Sequence, residues 1–389
     1  MSGNIKVNPA LTETAVAFDP QMPVGGIFGG EKITPPGVTY LDGERAVLRF
    51  YAPTANTVAV RIGWLGGAKV DMEKQEEGIW TVTVGGDELE RGGDLYSAIF
   101  FEVDGVYVLN PMAPVAWGHA HHINAIDLPG GADYYHLKDV PHGTVTRDYY
   151  FSKSCNCVKS CLVYAPPGYM SGKGENLPVL YLQHGYGENE TSWVHLGKVN
   201  FIMDNLIAEG KAAPCLIVMN NGMVQTEHGD GTRDWNVMSI ERLLTEDCDP
   251  FIESNYRAAK GKWSRAMAGL SMGSMQTSVT TLNHPDFFGY VGIFSGFLGL
   301  LGDPATVQND HFKAFDDKPA LFSAYKLFFR CIGDRDQFLD HFNAESTMLK
   351  EKGLRPGEWQ AHTEKFYSGG HDWNVWRACV RDFLSLIFK

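Results

Sequence analysis

The sequence predicts an α/β architecture with a mostly parallel central sheet, preceded by a small β-sandwich. Three observations predict it. After about residue 144, short apolar runs alternate with helix-like segments, as in a sheet covered on both faces. Between residues 37 and 130, short runs rich in Val, Ile and aromatics recur between Gly and Pro punctuation, the pattern of two packed antiparallel sheets. Finally, "RAMAGLSMGSMQTSV" (265–279) sets Ser271 at a strand–helix junction, flanked by Gly269 and Gly273.

Residues 1–36, rich in Gly and Pro, show no sustained period and read as an extended lead-in. In the sandwich segment 37–130, "RAVLRFYAP", "TVAVRIGW" and "GIWTVTVGG" are strands, and "DLYSAIFFEVDGVYVLNP" is a hairpin turning at Asp104-Gly105. Residues 131–143 read as a linker. In the segment 144–389, "PVLYLQHG", "CLIVMNNG", "RAMAGLS", "YVGIFSG" and "LFFRCIGD" are the strands. "NFIMDNLIAEG", "LTEDCDPFIESNY", "SMQTSVTTLNH", "FNAESTMLKEKG" and "NVWRACVRDFLSLIF" are the helices between and after them. In such a sheet, functional groups gather at the carboxyl ends of the strands.

The chain has 389 residues, 44% of them hydrophobic, and a formal net charge of −13. This composition builds large cores and disfavours nucleic acid and anionic membranes as partners. The start, "MSGNIKVNPALTETAV", lacks the basic-then-apolar layout of a signal peptide. The expected compartment is secreted or periplasmic with a leader already removed, the alternative being cytoplasmic. Seven cysteines are too few and too odd in number for a disulfide scaffold. Reduced, buried thiols are expected, with one local disulfide or a metal site at "CNCVKSC" as the competing readings. "WGHAHHINAI" looks metal-binding in composition but reads as a polar loop.

Gly269-Leu270-Ser271-Met272-Gly273 fits G-x-S-x-G. A nucleophile elbow strains the serine backbone, so residues two positions away must lack bulk. The turn also sets Ser271 at a helix start, where the dipole favours developing negative charge. A serine serving only as a turn or cap residue is the plainer alternative. A hydroxyl needs a base, and five histidines follow Ser271, at positions 284, 311, 341, 362 and 371. His371, in the Gly-rich loop "YSGGHDWNVW", lies after the last strand and before the last helix, where the Ser-acid-His order delivers its base. His284 reads as a capping or packing residue, and His362 falls inside a strand pattern. Asp334, Asp336 and Asp340 compete for the acid; Asp336, in the loop after Gly333, suits a carboxylate that orients the imidazole. Two oxyanion donors are expected, the N–H of Met272 and that of Tyr186 in "HGYG". No cofactor and no metal is implied.

Together these residues resemble the feruloyl esterases of carbohydrate esterase family 1, within the esterase D-like α/β-hydrolases. The likeness covers roughly residues 144–389 and rests on "LVYAPPGY", "PVLYLQHGYGENETSW", "DNLIAEGK", "PFIESNYR", "AGLSMG", "IGDRD" and "GGHDWNVW". The resemblance implies an α/β-hydrolase fold, with Ser271 as nucleophile, Asp336 as acid, His371 as base, and Tyr186 and Met272 as oxyanion donors. One position departs: the family's G-x-S-M-G-G ends here in Ser274, which implies altered helix packing rather than lost activity. The β-rich segment resembles, more weakly, the immunoglobulin-like domain of carbohydrate-binding module family 48, through "LRFYAPTANTVAVRI" and "VDGVYVLNPMAP". Trp64, Trp80 and Trp117 there either stack on sugar rings or fill the sandwich.

The implied reaction is hydrolysis of hydroxycinnamoyl esters on plant arabinoxylan, and the implied partner is that feruloylated polysaccharide or its oligosaccharides. Trp193, Trp235, Phe297, Trp373 and Trp376 are candidate walls for a flat phenolic acyl group. An acetyl xylan esterase or a siderophore-ester hydrolase would use the same machinery. A non-catalytic carbohydrate-binding protein is the alternative from another class, against which the full Ser, Asp and His set argues.

Overall fold

A computed structural model describes residues 37–63, 67–86, 95–299 and 310–389. The expected lead-in (1–36) and Trp64 lie outside them. The described residues fall into two compact units, divided between Asp133 and Tyr134.

The first unit is β-rich. A four-stranded antiparallel sheet joins Val38–Tyr40, Arg45–Tyr51, Ile79–Gly85 and Glu73–Lys74. A second sheet centres on Tyr96–Val103 and includes Val58–Ile62 and His121–Asp127. Their buried side chains, among them Leu48, Val60, Trp80, Ile99 and Phe101, form one core. Trp80 belongs to that core, its indole N–H donating to the Ala52 carbonyl at 3.0 Å. Trp117 is half-buried, edge-on to His122. The Asp104-Gly105 hairpin forms with both residues left-handed. "WGHAHHINAI" is corrected from a loop to a second hairpin, pairing Val115–Gly118 with His121–Asp127. Its turn residues His119 and Ala120 both take positive φ without a glycine, so no punctuation betrayed the turn.

The second unit holds an eight-stranded sheet. Its strands are β1 (Thr144–Ser152), β2 (Cys157–Ala165), β3 (Val179–Gln183), β4 (Leu216–Asn220), β5 (Arg265–Leu270), β6 (Tyr290–Phe294), β7 (Leu327–Gly333) and β8 (His362–Tyr367). They lie in the order β1-β2-β4-β3-β5-β6-β7-β8, parallel from β4 onward, which is an α/β-hydrolase sheet. Strands β3, β4 and β6 are buried at every position. The principal helices are α1 (Val199–Ala208), α2 (Asp249–Asn255), α3 (Met272–Asn283), α4 (Leu339–Glu351) and α5 (Trp373–Leu384). Arg330, fully buried on β7, holds Glu345 of α4 at 2.8 Å and Glu364 of β8 at 2.6 Å, fixing the helix that follows the β7 loop.

Of the segment expected as a linker, residues 134–143 fall within the second unit. Asn205 of α1 donates to the Tyr134 and His136 carbonyls, Asp204 accepts from the Gly143 N–H, and Arg377 lies 4.4 Å from the Tyr135 ring. All seven cysteines are unpaired. Among the described residues no cluster of three metal-ligating side chains exists, and no helix is long and apolar enough to cross a membrane.

Candidate active site

Strand β5 runs buried through the middle of the sheet and stops at Leu270. Ser271 then takes φ 52° and ψ −119°, a conformation costing about 1–3 kcal/mol, and α3 begins at Met272. The flanking glycines are sterically required. A Cβ on Gly269 would lie 2.4 Å from the Gly273 carbonyl oxygen, and one on Gly273 would lie 2.6 Å from that of His184. The Ser271 N–H is anchored to the Phe294 carbonyl at 3.0 Å. Ser274, the position departing from the family pattern, clamps the corner. Its hydroxyl donates to the Ser271 carbonyl at 2.5 Å and accepts the Phe297 N–H at 3.0 Å. A Cβ on Gly296 would fall 1.6 Å from that hydroxyl oxygen, so the clamp requires glycine there.

The loops after β7 and β8 cross backbone to backbone: a Cβ on Gly333 would sit 2.3 Å from the Gly369 oxygen. This crossing brings His371 and Asp336 together. The Ser271 hydroxyl lies 3.0 Å from His371 Nε2, and His371 Nδ1 lies 2.9 and 3.0 Å from the two Asp336 oxygens. With Nδ1–H donating to that carboxylate, Nε2 presents its lone pair to the serine. Asp336 is buried and also accepts the Phe338 N–H at 2.9 Å. The competing Asp334 instead accepts the Gly369 N–H at 2.9 Å, and Asp340 lies in the first turn of α4. His284 pairs with Glu241 at the end of α3, and His362 starts β8 with its ring on the Leu354 carbonyl. Neither approaches the line.

The "HGYG" loop after β3 lies against the serine, since a Cβ on Gly185 would be 3.5 Å from that of Ser271. Among the described residues, nothing engages the Tyr186 and Met272 amides, leaving both free to donate. Two side chains that sequence reasoning missed hold the loop. Burial pushes the His184 imidazole down to about 4, so it is neutral at pH 7. Its Nδ1–H donates to the Gly185 carbonyl at 2.8 Å, while Nε2 accepts the Gly222 N–H at 2.8 Å. Glu188 accepts the Gly185 N–H at 3.0 Å and bonds the Trp373 indole; burial pushes its carboxyl up to about 7. The only sequence signal was a His and a Glu bracketing a glycine-rich turn.

The five candidate aromatics separate. Trp193, Trp373 and Phe297 are buried: Trp193 donates to the Gln183 carbonyl at 2.9 Å and meets Trp373 edge-on at 5.0 Å. Trp376 is buried against the His371 ring at 5.1 Å. Trp235 alone of the five is exposed, edge-to-face with the Tyr186 ring. Phe297 sits in an apolar cluster whose other members were not among the candidate walls. Met272, Met275 and Phe297 form a buried apolar cluster against which Met223, Val237, Met238 and Phe338 pack partly exposed. Phe338 in turn meets the His371 ring at 5.0 Å.

An eight-stranded sheet with a strained serine at its centre, backed by imidazole and carboxylate, defines an α/β-hydrolase. Within that class the chain belongs to the Esterase family, whose model matches residues 152–384. It is 33% identical over 349 residues to an endo-1,4-beta-xylanase/feruloyl esterase of Xylanibacter ruminicola, covering 88% of this chain and 45% of that one. The chain thus spans about half the length of that relative. Among solved structures, a ferulic acid esterase matches with TM-score 0.54 and 26% identity, over 63% of this chain and 97% of its own. The enterobactin esterase of Shigella flexneri matches in fold with TM-score 0.62 and 14% identity, over 90% of this chain and 95% of its own.

Proposed function

We propose that the chain is a carboxylic ester hydrolase acting on hydroxycinnamoyl esters of plant cell-wall arabinoxylan. The observation that carries this reading is the Ser271–His371–Asp336 line, with spacings of 3.0 and 2.9 Å, at the elbow of an Esterase family chain. The similarity to a xylanase/feruloyl esterase supports the acyl class.

In the proposed cycle, Ser271 Oγ bonds to the ester carbonyl carbon as its proton passes to His371 Nε2. Asp336 stabilises the imidazolium, and the Tyr186 and Met272 amides hold the oxyanion. Collapse breaks the bond to the alcohol oxygen, which leaves with the proton from Nε2. Water then repeats the sequence on the acyl-enzyme, releasing the acid and freeing Ser271. The thioether and aromatic wall of Met223, Met238, Met272, Met275 and Phe338 supports a planar aryl acyl group over acetyl. Burying a phenyl ring there contributes about 2–3 kcal/mol, roughly two orders of magnitude in kcat/KM. The β-rich first unit is proposed as a carbohydrate-binding-module-like domain. A polymeric substrate favours work outside the cytoplasm.

Rates on methyl ferulate, acetylated xylan and a catecholate trilactone test the reading. Methyl ferulate is expected to be turned over fastest, and Ser271→Ala to lose on the order of 10⁶ in kcat. Preference for acetyl or catecholate esters replaces the acyl assignment. Near-normal turnover by Ser271→Ala removes the mechanism.

A further inference from the structure

Tyr186 and Trp235 are large rings left 65% and 49% exposed, with centroids 5.6 Å apart at 69°. We propose that they form a glycosyl-binding platform for the alcohol half of the ester, distinct from the methionine wall that takes the acyl half; this rests on the esterase reading above.

The platform is tied to the reaction centre at both ends. Tyr186 follows Gly185, the residue packed beside Ser271. Trp235 belongs to a two-stranded hairpin, Gln225–Glu227 paired with Arg233–Trp235. Gln276 of α3 donates to both the Gly222 and Val237 carbonyls, at 2.8 and 2.7 Å, so one side chain fastens the two roots of that hairpin. The Gly222 N–H also bonds His184, which pins the oxyanion loop. The hairpin is further fixed to the β1–β2 turn by the Glu227 N–H on the Cys155 carbonyl and to β2 by Lys159 on the Gln225 carbonyl, both at 2.9 Å. Trp235 is therefore tethered, through Gln276, Gly222 and His184, to the loop packed beside the serine.

Its chemistry fits a sugar better than a phenyl ring. A sugar ring lays its C–H face on an aromatic ring and keeps its hydroxyl rim in water. The hairpin that carries Trp235 is itself polar: Arg233 bridges to Glu227 at 2.6 Å, and His228 to Asp234 at 3.0 Å, all solvent-accessible. An apolar acyl group bound here would stay half wet, while the methionine wall beside Met272 already offers it a drier place.

The test compares kcat/KM on a feruloylated arabino-oligosaccharide with that on methyl ferulate, for wild type, Trp235→Ala and Trp235→Phe. The oligosaccharide-to-methyl-ester ratio is expected to fall roughly tenfold in Trp235→Ala, chiefly through KM, and to recover largely in Trp235→Phe, which keeps an aromatic face. Equal losses on both esters would reassign the pair to the acyl group, and an unchanged ratio would remove the platform. If wild type hydrolyses neither ester, the esterase reading itself falls.

Discussion

The two units of the chain place polar groups in opposite ways. In the first, a strand such as Arg45–Tyr51 buries Ala46 and Leu48 and turns its ends to solvent. Its core is mostly apolar, and its buried polar side chains among the described residues, Ser97, Asn110 and Asn124, carry no charge. In the second, β3, β4 and β6 are buried along their whole length, and the interior admits His184, Gln276, Ser274, Asp336 and Arg330. A buried polar group costs stability unless it is bonded, and once bonded it is held rigidly. The contrast teaches where reaction chemistry can reside: in the unit whose hydrogen-bonded interior holds groups that can ionise, whereas the buried polar side chains of the sandwich, such as Ser97, Asn110 and Asn124, are neutral and serve its packing.

Beyond the nucleophile itself, the largest expected effect attacks that hydrogen-bonded interior. Asp336→Asn should cost about 10⁴ in kcat, because the amide no longer fixes the imidazole tautomer; steady-state kinetics on methyl ferulate measures it. Trp80→Ala attacks the packed unit instead and should cost about 3–5 kcal/mol of its stability. Calorimetry should show an early transition for that unit while methyl ferulate turnover persists; joint loss would break the contrast. Gly273→Ala forces a methyl group onto the His184 and Gln183 carbonyls and should cost about 10² in kcat/KM through a displaced elbow. The smallest effect concerns Glu188, whose carboxyl is raised from 4.5 to about 7. Between those values the folded state holds a proton that the unfolded chain has lost, so this group's contribution to stability falls as pH rises through that window. Glu188→Gln does not titrate, and its melting temperature relative to wild type should climb between pH 5 and pH 8. A flat difference would contradict the assignment.

The same contrast explains what was legible in the sequence. The central strands announced themselves as unbroken apolar runs, and the elbow through two glycines whose reason is steric. Strand β1 did not, because most of its side chains face solvent and dilute the apolar signal. Three carboxylates within seven residues competed for the acid, with Asp336 preferred for its loop position; the crossing of the Gly333 and Gly369 loops is what brings Asp336 to His371. His184 and Glu188 act singly, so no spacing marks them. The methionine wall is assembled from distant segments, and no single stretch carries its pattern. Nearness in sequence to a motif misled for Trp193 and Trp373, since large rings beside a buried loop serve first to fill space.

Ser274 and Gly296 carry a consequence for descent. Because the hydroxyl occupies the space a side chain at 296 would need, the two positions cannot change in arbitrary order. Serine at 274 is therefore expected only beside glycine at 296, and Gly296→Ala should be tolerated better in a Ser274→Gly background than alone. Sequences of related chains should show the two positions changing together.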